Sequence, residues 1–395
     1  MDTSASDISF DKNGFCNFCS DFLSQNLQLC DSNMLEKDND LSNIIKEIKK
    51  EGKGKKYDCV IGLSGGLDSS WALIQAIRLG LRPLAVHMDN GWNSELAQNN
   101  ITNLVRGLGV DLYTHVIDWD EYRDLMQAFF DANVIDVELL YDNAMLAVNY
   151  HQAFKYNIKY ILSGHNLATE GMRMPEKWNW FKYDKRNIKA IGKQFKNIRL
   201  KTFPAIGTFN HFWYDSILKI KWIRFLNYTN YNKFDALTEL EKDFNFKPYP
   251  YKHYESIFTR FYQGYILPQK FGIDKRRIHY STLIMTNQIT REFATQELEG
   301  IPYPSKEDLE KDKIYFLKKM GWSSRDLDLY ISKPEISHNS YPTENNLWEI
   351  YMLFLTFISN PMKYTIKALK KIYRYCFSKH NIKYKDGKGL FFKKS

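Results

Sequence analysis

Between residues 58 and 162 the apolar positions come in short blocks, and polar or glycine-rich sequence closes each block. Asp58 to Leu63 is short and mostly apolar, the pattern of a strand buried on both faces of a parallel sheet. Past it, Leu73, Ile74 and Ile77 recur at helical spacing, which predicts a helix from Ser69 to Leu79 stopped by Gly80. Leu81 to Met88 reads as the next strand, Ser94 to Gly107 as a second helix and Val110 to Ile117 as a third strand. Helices near Glu121–Ala132 and Asp142–Tyr156 follow, then a buried strand from Ile158 to Leu162. Strands alternating with helices predict an α/β fold with a parallel sheet. Ligands of such sheets bind beyond the carboxyl ends of the strands. Three strand ends carry suitable sequence there, Ser64–Ser70, His87–Trp92 and Ser163–Glu170, and they are expected to converge on one site.

The first of these ends, Ser64-Gly-Gly-Leu-Asp-Ser-Ser70, is the most informative. Gly65 and Gly66 permit backbone angles that a β-carbon disfavours. Backbone N–H groups are thereby free to point inward, and the helix that follows adds partial positive charge at its N-terminus. Such a nest cradles phosphate or pyrophosphate. The Gly-Lys-Ser/Thr ending of a Walker loop and the Gly-x-Gly-x-x-Gly of a dinucleotide fold are both absent.

This segment resembles the PP-loop ATP pyrophosphatases. The resemblance implies an adenine nucleotide alpha hydrolase-like domain that adenylates a substrate oxygen and releases pyrophosphate. It assigns Ser64, Gly65, Gly66, Asp68, Ser69 and Ser70 to ATP, with Asp68 also on Mg²⁺, and it places His87, Asp89 and Gly164 near the nucleotide.

Composition narrows the acceptor. The chain has 395 residues and a net charge of +9, but residues 363–395 hold eleven Lys and Arg against Asp386 alone. The excess is therefore a property of the tail, not a nucleic-acid footprint spread over the chain. In the tail Ile366, Leu369, Tyr373 and Phe377 fall at helical spacing between lysines. That pattern fits either a solvated face on a packed helix or weak attachment to an anionic membrane surface. The polar start has no signal-peptide pattern, and no apolar run reaches the ~20 residues of a membrane span, so a cytoplasmic location is expected. Aromatics form 15% of the chain and cluster in its second half, as in Phe209–Tyr214 and Trp222–Tyr228, where they serve as core or as a sugar platform.

No cysteine stands between Cys59 and Cys376. Sulfur transfer needs a thiol near the nucleotide, so the rival reading, a tRNA-thiolating enzyme, is disfavoured against nitrogen transfer. Cys16-Asn-Phe-Cys19 has the spacing of half a zinc site, with Cys30 as a candidate third ligand.

A closer resemblance covers roughly residues 1–300. Phe10-Asp-Lys-Asn-Gly14 with Cys16-x-x-Cys19, Ile61–Ser69, His87-Met-Asp-Asn-Gly-Trp92, Ser163-Gly-His-Asn166 with Thr169-Glu170, Lys252-His253-x-Glu255-Ser256 with Phe258-Thr-Arg-Phe261, and Lys270–Arg277 resemble the N-acetyl sugar amidotransferases. These are PP-loop proteins of lipopolysaccharide and nonulosonate biosynthesis. The resemblance implies ATP, Mg²⁺, an N-acetyl sugar or sugar nucleotide, and ammonia from a separate glutaminase subunit. It points to Asp68, Ser69, His165 and Glu170 as catalytic. Lys252, His253, Glu255 and Arg260 are expected on one helix of the sugar site, with Lys275, Arg276 and Arg277 facing a diphosphate or carboxylate. Relatives usually carry a further Cys-x-x-Cys before the stretch that opens this chain, and glycines where Tyr249-Pro-Tyr251 stands.

The expected organisation is a cysteine knuckle and linker over 1–50, an ATP-binding domain over 51–205, a helical substrate-completing region over 206–300, and a helical C-terminal region with the basic tail over 301–395. A non-catalytic nucleotide-binding scaffold for the glutaminase is the remaining alternative.

Overall fold

A computed structural model describes residues 1–30 and 34–359. The basic segment 363–395 and Cys376 lie outside the described residues. Five strands form one sheet, β1 (Cys59–Gly62), β2 (Pro83–Asp89), β3 (Leu112–Val116), β4 (Tyr160–Ser163) and β5 (Lys221–Arg224). Their order is β3-β2-β1-β4-β5, and every pairing is parallel. The chain leaves β1 for β2 on one side and returns to β4 on the other, so the order reverses beside β1. A crevice opens at such a reversal.

Both faces of the central strands are covered. Val60, Leu84, Val86, Met88 and Ile161 belong to one buried cluster, while Cys59, Ile61, Ala85, Tyr160 and Leu162 belong to the other. Alternate residues thus feed opposite layers, as strand geometry requires. Eight helices run along the first half of the chain: α1 (Asn17–Cys30), α2 (Met34–Glu51), α3 (Leu67–Arg78), α4 (Glu95–Leu108), α5 (Trp119–Asp131), α6 (Leu139–Lys155), α7 (Leu167–Glu170) and α8 (Lys185–Lys196). Helix α6 buries residues around its whole circumference, because it lies between the sheet and the later helices. The first cluster continues from α6 through Phe258, Phe261, Phe316 and Leu327 to Tyr341, one continuous core.

Two sequence expectations change. Strand β5 falls in the aromatic stretch Trp222–Tyr228, which joins the sheet edge through Trp222 and Ile223. The stretch from Lys252 to Arg260 is not one helix: residues 252–255 turn, His253 sits at φ +64, and the helix Ile257–Phe261 begins only after them. No helix among the described residues is long and apolar enough to cross a membrane.

Candidate functional site

The Ser64–Ser70 loop leaves β1 and enters α3. Gly65 takes φ +87, and a Cβ there would lie 2.9 Å from the Ala97 carbonyl, so glycine is required twice over. The Tyr249 hydroxyl donates to the Gly65 carbonyl at 3.0 Å and fixes the turn. Ser64 Oγ accepts from Gly66 N–H at 3.1 Å and lies 3.1 Å from Ser69 Oγ. Gly66 is the N-cap of α3 and offers no side-chain acceptor. The first amides of the helix, on Leu67, Asp68 and Ser69, therefore have no intrahelical carbonyl and no cap. They border a cleft of about 730 Å³.

The β4 end is pressed against this helix start. A Cβ on Gly164 would sit 2.7 Å from the Asp68 carbonyl carbon and the Ser69 nitrogen. Asn166 caps α7 by accepting from Thr169 N–H at 2.9 Å. Thr169 and Glu170 are thereby brought to Asp68. Lys252 Nζ reaches all three, 2.7 Å from Asp68 Oδ2, 2.9 Å from Thr169 Oγ1 and 3.0 Å from Glu170 Oε1. The Tyr231 hydroxyl donates to the other Asp68 oxygen. His165 Nδ1 bonds Glu170, and His253 Nε2 stands 3.7 Å from it. Burial pushes the Glu170 carboxyl up, but the Lys252 ammonium and the His165 hydrogen bond reverse this and hold it well below the usual range. Burial likewise pushes Lys252 down, and the two carboxylates outweigh it, so its ammonium is held. His279, on the helix Arg276–Met285, lines the same wall, and burial together with His253 and Lys252 drives its pKa well down.

The cleft continues away from the loop. Val86, Met88, Met145, Val148 and Trp222 make an apolar slot over the sheet. Beyond it the first turn of α6 presents Glu138 and Asp142. Glu138 pairs with Lys275 at 2.8 Å and accepts from Gln263 at 2.9 Å. Asp142 pairs with Lys182 at 2.9 Å, and Lys182 also holds the buried Asp136 at 2.6 Å. Burial raises the Asp142 carboxyl, with Lys182 only partly opposing it, whereas Lys182 and Lys275 overcome burial at Asp136 and lower it.

Of the residues singled out by sequence, Ser64, Gly66, Asp68, Ser69, Gly164, His165, Glu170, Lys252, His253, Glu255, Lys275 and Arg276 border this one cleft. Others serve elsewhere. Ser70 is fully buried beneath the loop. His87 does not line the cleft: its Nδ1 bonds the Leu63 carbonyl at 2.8 Å and its Nε2 meets Asn93 at 3.0 Å, tying the β1 and β2 ends together. Asp89 accepts from Gly91 N–H and Asn93. It is Val86 and Met88 of that strand that face the cavity. Arg260 pairs with the buried Asp312, and Arg277 with Asp2. Arg276 borders the cleft, but its guanidinium is consumed by Asp274 and the carbonyls of Glu297 and Gly300. These arginines are not free for a diphosphate. Tyr231, Glu138, Asp142 and Lys182 carry no such signal in the sequence, since their partners lie 40 or more residues away and leave no local spacing to read.

Cys16 and Cys19 bring their sulfurs within 3.3 Å. Among the described residues no group of three or more His, Cys, Asp or Glu is arranged to hold a metal ion, so the knuckle gives the zinc expectation no support.

Residues 255–355 match the family described as LPS biosynthesis protein WbpG-like, C-terminal domain. An uncharacterized protein of Methanocaldococcus jannaschii, MJ1599, is 30% identical over 129 residues, covering 32% of this chain and 44% of its own length. The chain thus spans less than half of that relative. Among solved structures, NMN synthetase from Francisella tularensis is similar at 17% identity and a TM-score of 0.29, covering 55% of this chain and 89% of its own. The NH3-dependent NAD synthetase from Campylobacter jejuni is similar at 14% identity and a TM-score of 0.28, covering 66% and 96%. Scores this low leave the fold to rest on the sheet order itself.

Proposed function

We propose that this chain, which matches the WbpG-like C-terminal domain of lipopolysaccharide biosynthesis over residues 255–355, is an ATP-dependent amidotransferase that releases AMP and pyrophosphate. The observation that carries the reading is the uncapped start of α3 on a Ser-Gly-Gly-Leu-Asp-Ser loop, opening into a cleft that also holds Lys252, Glu170 and His165. The open amides of Leu67, Asp68 and Ser69 receive the β,γ-pyrophosphate. The apolar slot over the sheet takes the adenine.

The acceptor in this reading is an N-acetyl sugar, free or carried on a nucleotide. An amide oxygen is a poor leaving group, so it must first become a phosphoester. The acetamido oxygen attacks the α-phosphorus and the bond to pyrophosphate breaks. Ammonia then adds to the imidate carbon, AMP departs, and an acetamidino sugar for a surface polysaccharide remains. The open amides at the start of α3 meet the charge of the departing pyrophosphate, while Lys252 holds Asp68 and Glu170 beside them. Glu170, kept ionised, orients the acceptor or the incoming ammonia with His165 beside it. Asp68, at the mouth of the loop, is an oxygen donor of the kind Mg²⁺ selects. When bound, that ion supplies charge neutralisation on the phosphates. The hydroxyl-binding end in this reading is the start of α6, with Glu138 and Asp142, together with Gln263 opposite it, whose donors and acceptors suit a polyol.

A separate glutaminase subunit supplies the ammonia, and the segment 363–395 makes weak contact with an anionic membrane surface in a cytoplasmic setting. The test supplies ATP, Mg²⁺, ammonium and a panel of N-acetyl sugars and their nucleotides. AMP, pyrophosphate and a sugar whose amide oxygen has become NH are expected. Orthophosphate in place of pyrophosphate refutes the reading. Turnover only with tRNA and a sulfur donor favours thiolation, and ATP binding without any turnover favours the scaffold.

A further inference from the structure

Glu255 is the odd carboxylate of the cleft. Asp68, Glu138, Asp142, Glu170 and Asp274 each have a cationic partner there. Glu297 accepts from the Tyr280 hydroxyl. Among the described residues the Glu255 carboxylate has no hydrogen bond and no ion pair.

Its position is fixed nonetheless. Asn93 and Ser256 form an isolated antiparallel bridge. Ser94 N–H donates to the Glu255 carbonyl at 2.9 Å, and Ile257 N–H to the Trp92 carbonyl at 2.8 Å. The residue is thus stapled to the segment after β2 and projects over the first loop. A Cβ on Gly66 would lie 2.9 Å from Glu255 Oε1, so the carboxylate occupies the space that a side chain on the loop would fill. After burial, its charge is the largest influence raising the Tyr141 and Tyr249 phenols, which places it between them and the loop.

The loop offers open amides to an anion, and Glu255 rests against its glycine. Once a phosphate occupies those amides the two negative charges repel unless a cation intervenes. Like charges this close disfavour each other's ionised forms. The cleft's own cations do not resolve the conflict: Asp68 and Glu170 hold Lys252, Glu138 holds Lys275, Asp136 and Asp142 hold Lys182, Asp274 holds Arg276, and the carboxylate that acts on Lys233 is Asp68. A compact divalent cation does, since it accepts a carboxylate oxygen on one side and phosphate oxygens on the other.

We propose that Glu255 is a ligand of the divalent cation that enters with the nucleotide. The proposal rests on the loop being a nucleotide phosphate site and deepens that reading, but it does not depend on the acceptor. It separates Glu255 from its neighbours Lys252 and His253, which serve the Asp68–Glu170 cluster.

The test compares the full-length protein with Glu255→Gln and Glu255→Asp. ATP binding is measured by calorimetry in EDTA and in Mn²⁺, and Mn²⁺ affinity of the ADP complex is read by its electron paramagnetic resonance signal. In EDTA, Glu255→Gln should bind ATP tighter, on the order of tenfold, because a repulsive charge is gone. In the ADP complex the same variant should lose Mn²⁺ affinity by about tenfold or more, as loss of a coordinating group requires. Glu255→Asp keeps the charge and should fall between. Opposite signs in the two media distinguish a metal ligand from a packing residue or a sugar contact. Unchanged affinities in both media overturn the proposal, and so does a loss of ATP binding in EDTA. If the unaltered protein binds no ATP in either medium, the nucleotide reading itself has failed.

Discussion

Replacing Lys252 by Met removes one ammonium from between two carboxylates and keeps most of the side-chain volume. The side chains of Lys252, Asp68 and Glu170 are 17%, 19% and 17% exposed, so solvent screens them little. At separations of 2.7 and 3.0 Å and an effective dielectric of ~20, the two attractions are about 6 and about 5.5 kcal/mol before desolvation. Desolvation of the ammonium takes back much of this. Breaking one partner of a buried pair costs ~3–5 kcal/mol. The lower end applies here, about 3 kcal/mol, because Tyr231, His165 and His253 still serve the stranded carboxylates. Urea unfolding followed by tryptophan fluorescence at pH 7.5 measures the loss. The same substitution made in a Glu170→Gln background should cost at least about 1 kcal/mol less, since one of the stranded charges is gone. The sign with pH follows from Glu170, whose folded pKa is depressed. Its contribution is present above the unfolded value and is lost as pH falls through the folded one. Lys252→Met should therefore flatten the acid limb of the stability curve. A loss below about 1 kcal/mol, or identical costs in the two backgrounds, would refute the placement of Lys252 as the hub of this cluster.

Gly164→Ala forces a methyl to 2.7 Å from the Asp68 and Ser69 backbone, so β4 must part from the helix start, at a cost of roughly 1–3 kcal/mol. Because the displaced amides are those offered to phosphate, ATP affinity measured by calorimetry should fall as well; unchanged affinity would contradict the site. His338 is 1% exposed, and burial lowers its pKa to about 4. With a depressed folded value, its stabilising effect is complete above the unfolded pKa near 6.5 and disappears as pH falls to about 4, a change of about 3 kcal/mol. Unfolding free energies of His338→Gln and the unaltered protein, compared between pH 7 and 4, should differ in slope by this amount; parallel curves would show that His338 does not titrate with folding.

The sequence exposed the part of the site that one segment builds alone. Ser64 to Ser69 must form its own nest, so residue type and order suffice to read it. Likewise β1, β2 and β4 announce themselves because both faces are buried and the blocks are apolar throughout. Strand β5 escaped because Lys221-Trp-Ile-Arg224 is four residues long with polar ends, and the sheet edge it joins is supplied by distant sequence. The motif at Lys252 was visible as a motif but not as a turn, since nothing local signals that His253 will adopt a left-handed backbone. Charges were the least legible. Arg276 and Arg277 read as phosphate ligands until Asp274 and Asp2 claim them, and Asp2 is 275 residues away. The opposite case is Glu255, whose lack of a partner is meaningful only once every neighbour is placed.

The dependence of the Asp68–Glu170 pair on Lys252 also has a temporal side. During synthesis Glu170 leaves the ribosome 82 residues before Lys252 does. At elongation rates of ~5–20 residues per second that is a delay of about 4–16 s. Through that interval the early strands can pair, but closing the β4 end onto α3 would set two carboxylates face to face with no cation between them. Until the Lys252 turn arrives, closing that edge leaves the two carboxylates without the ammonium that joins them. The cleft itself can be complete only after the second half of the protein has been made, because Lys252, His253, Glu255 and the residues up to Pro302 supply one of its walls.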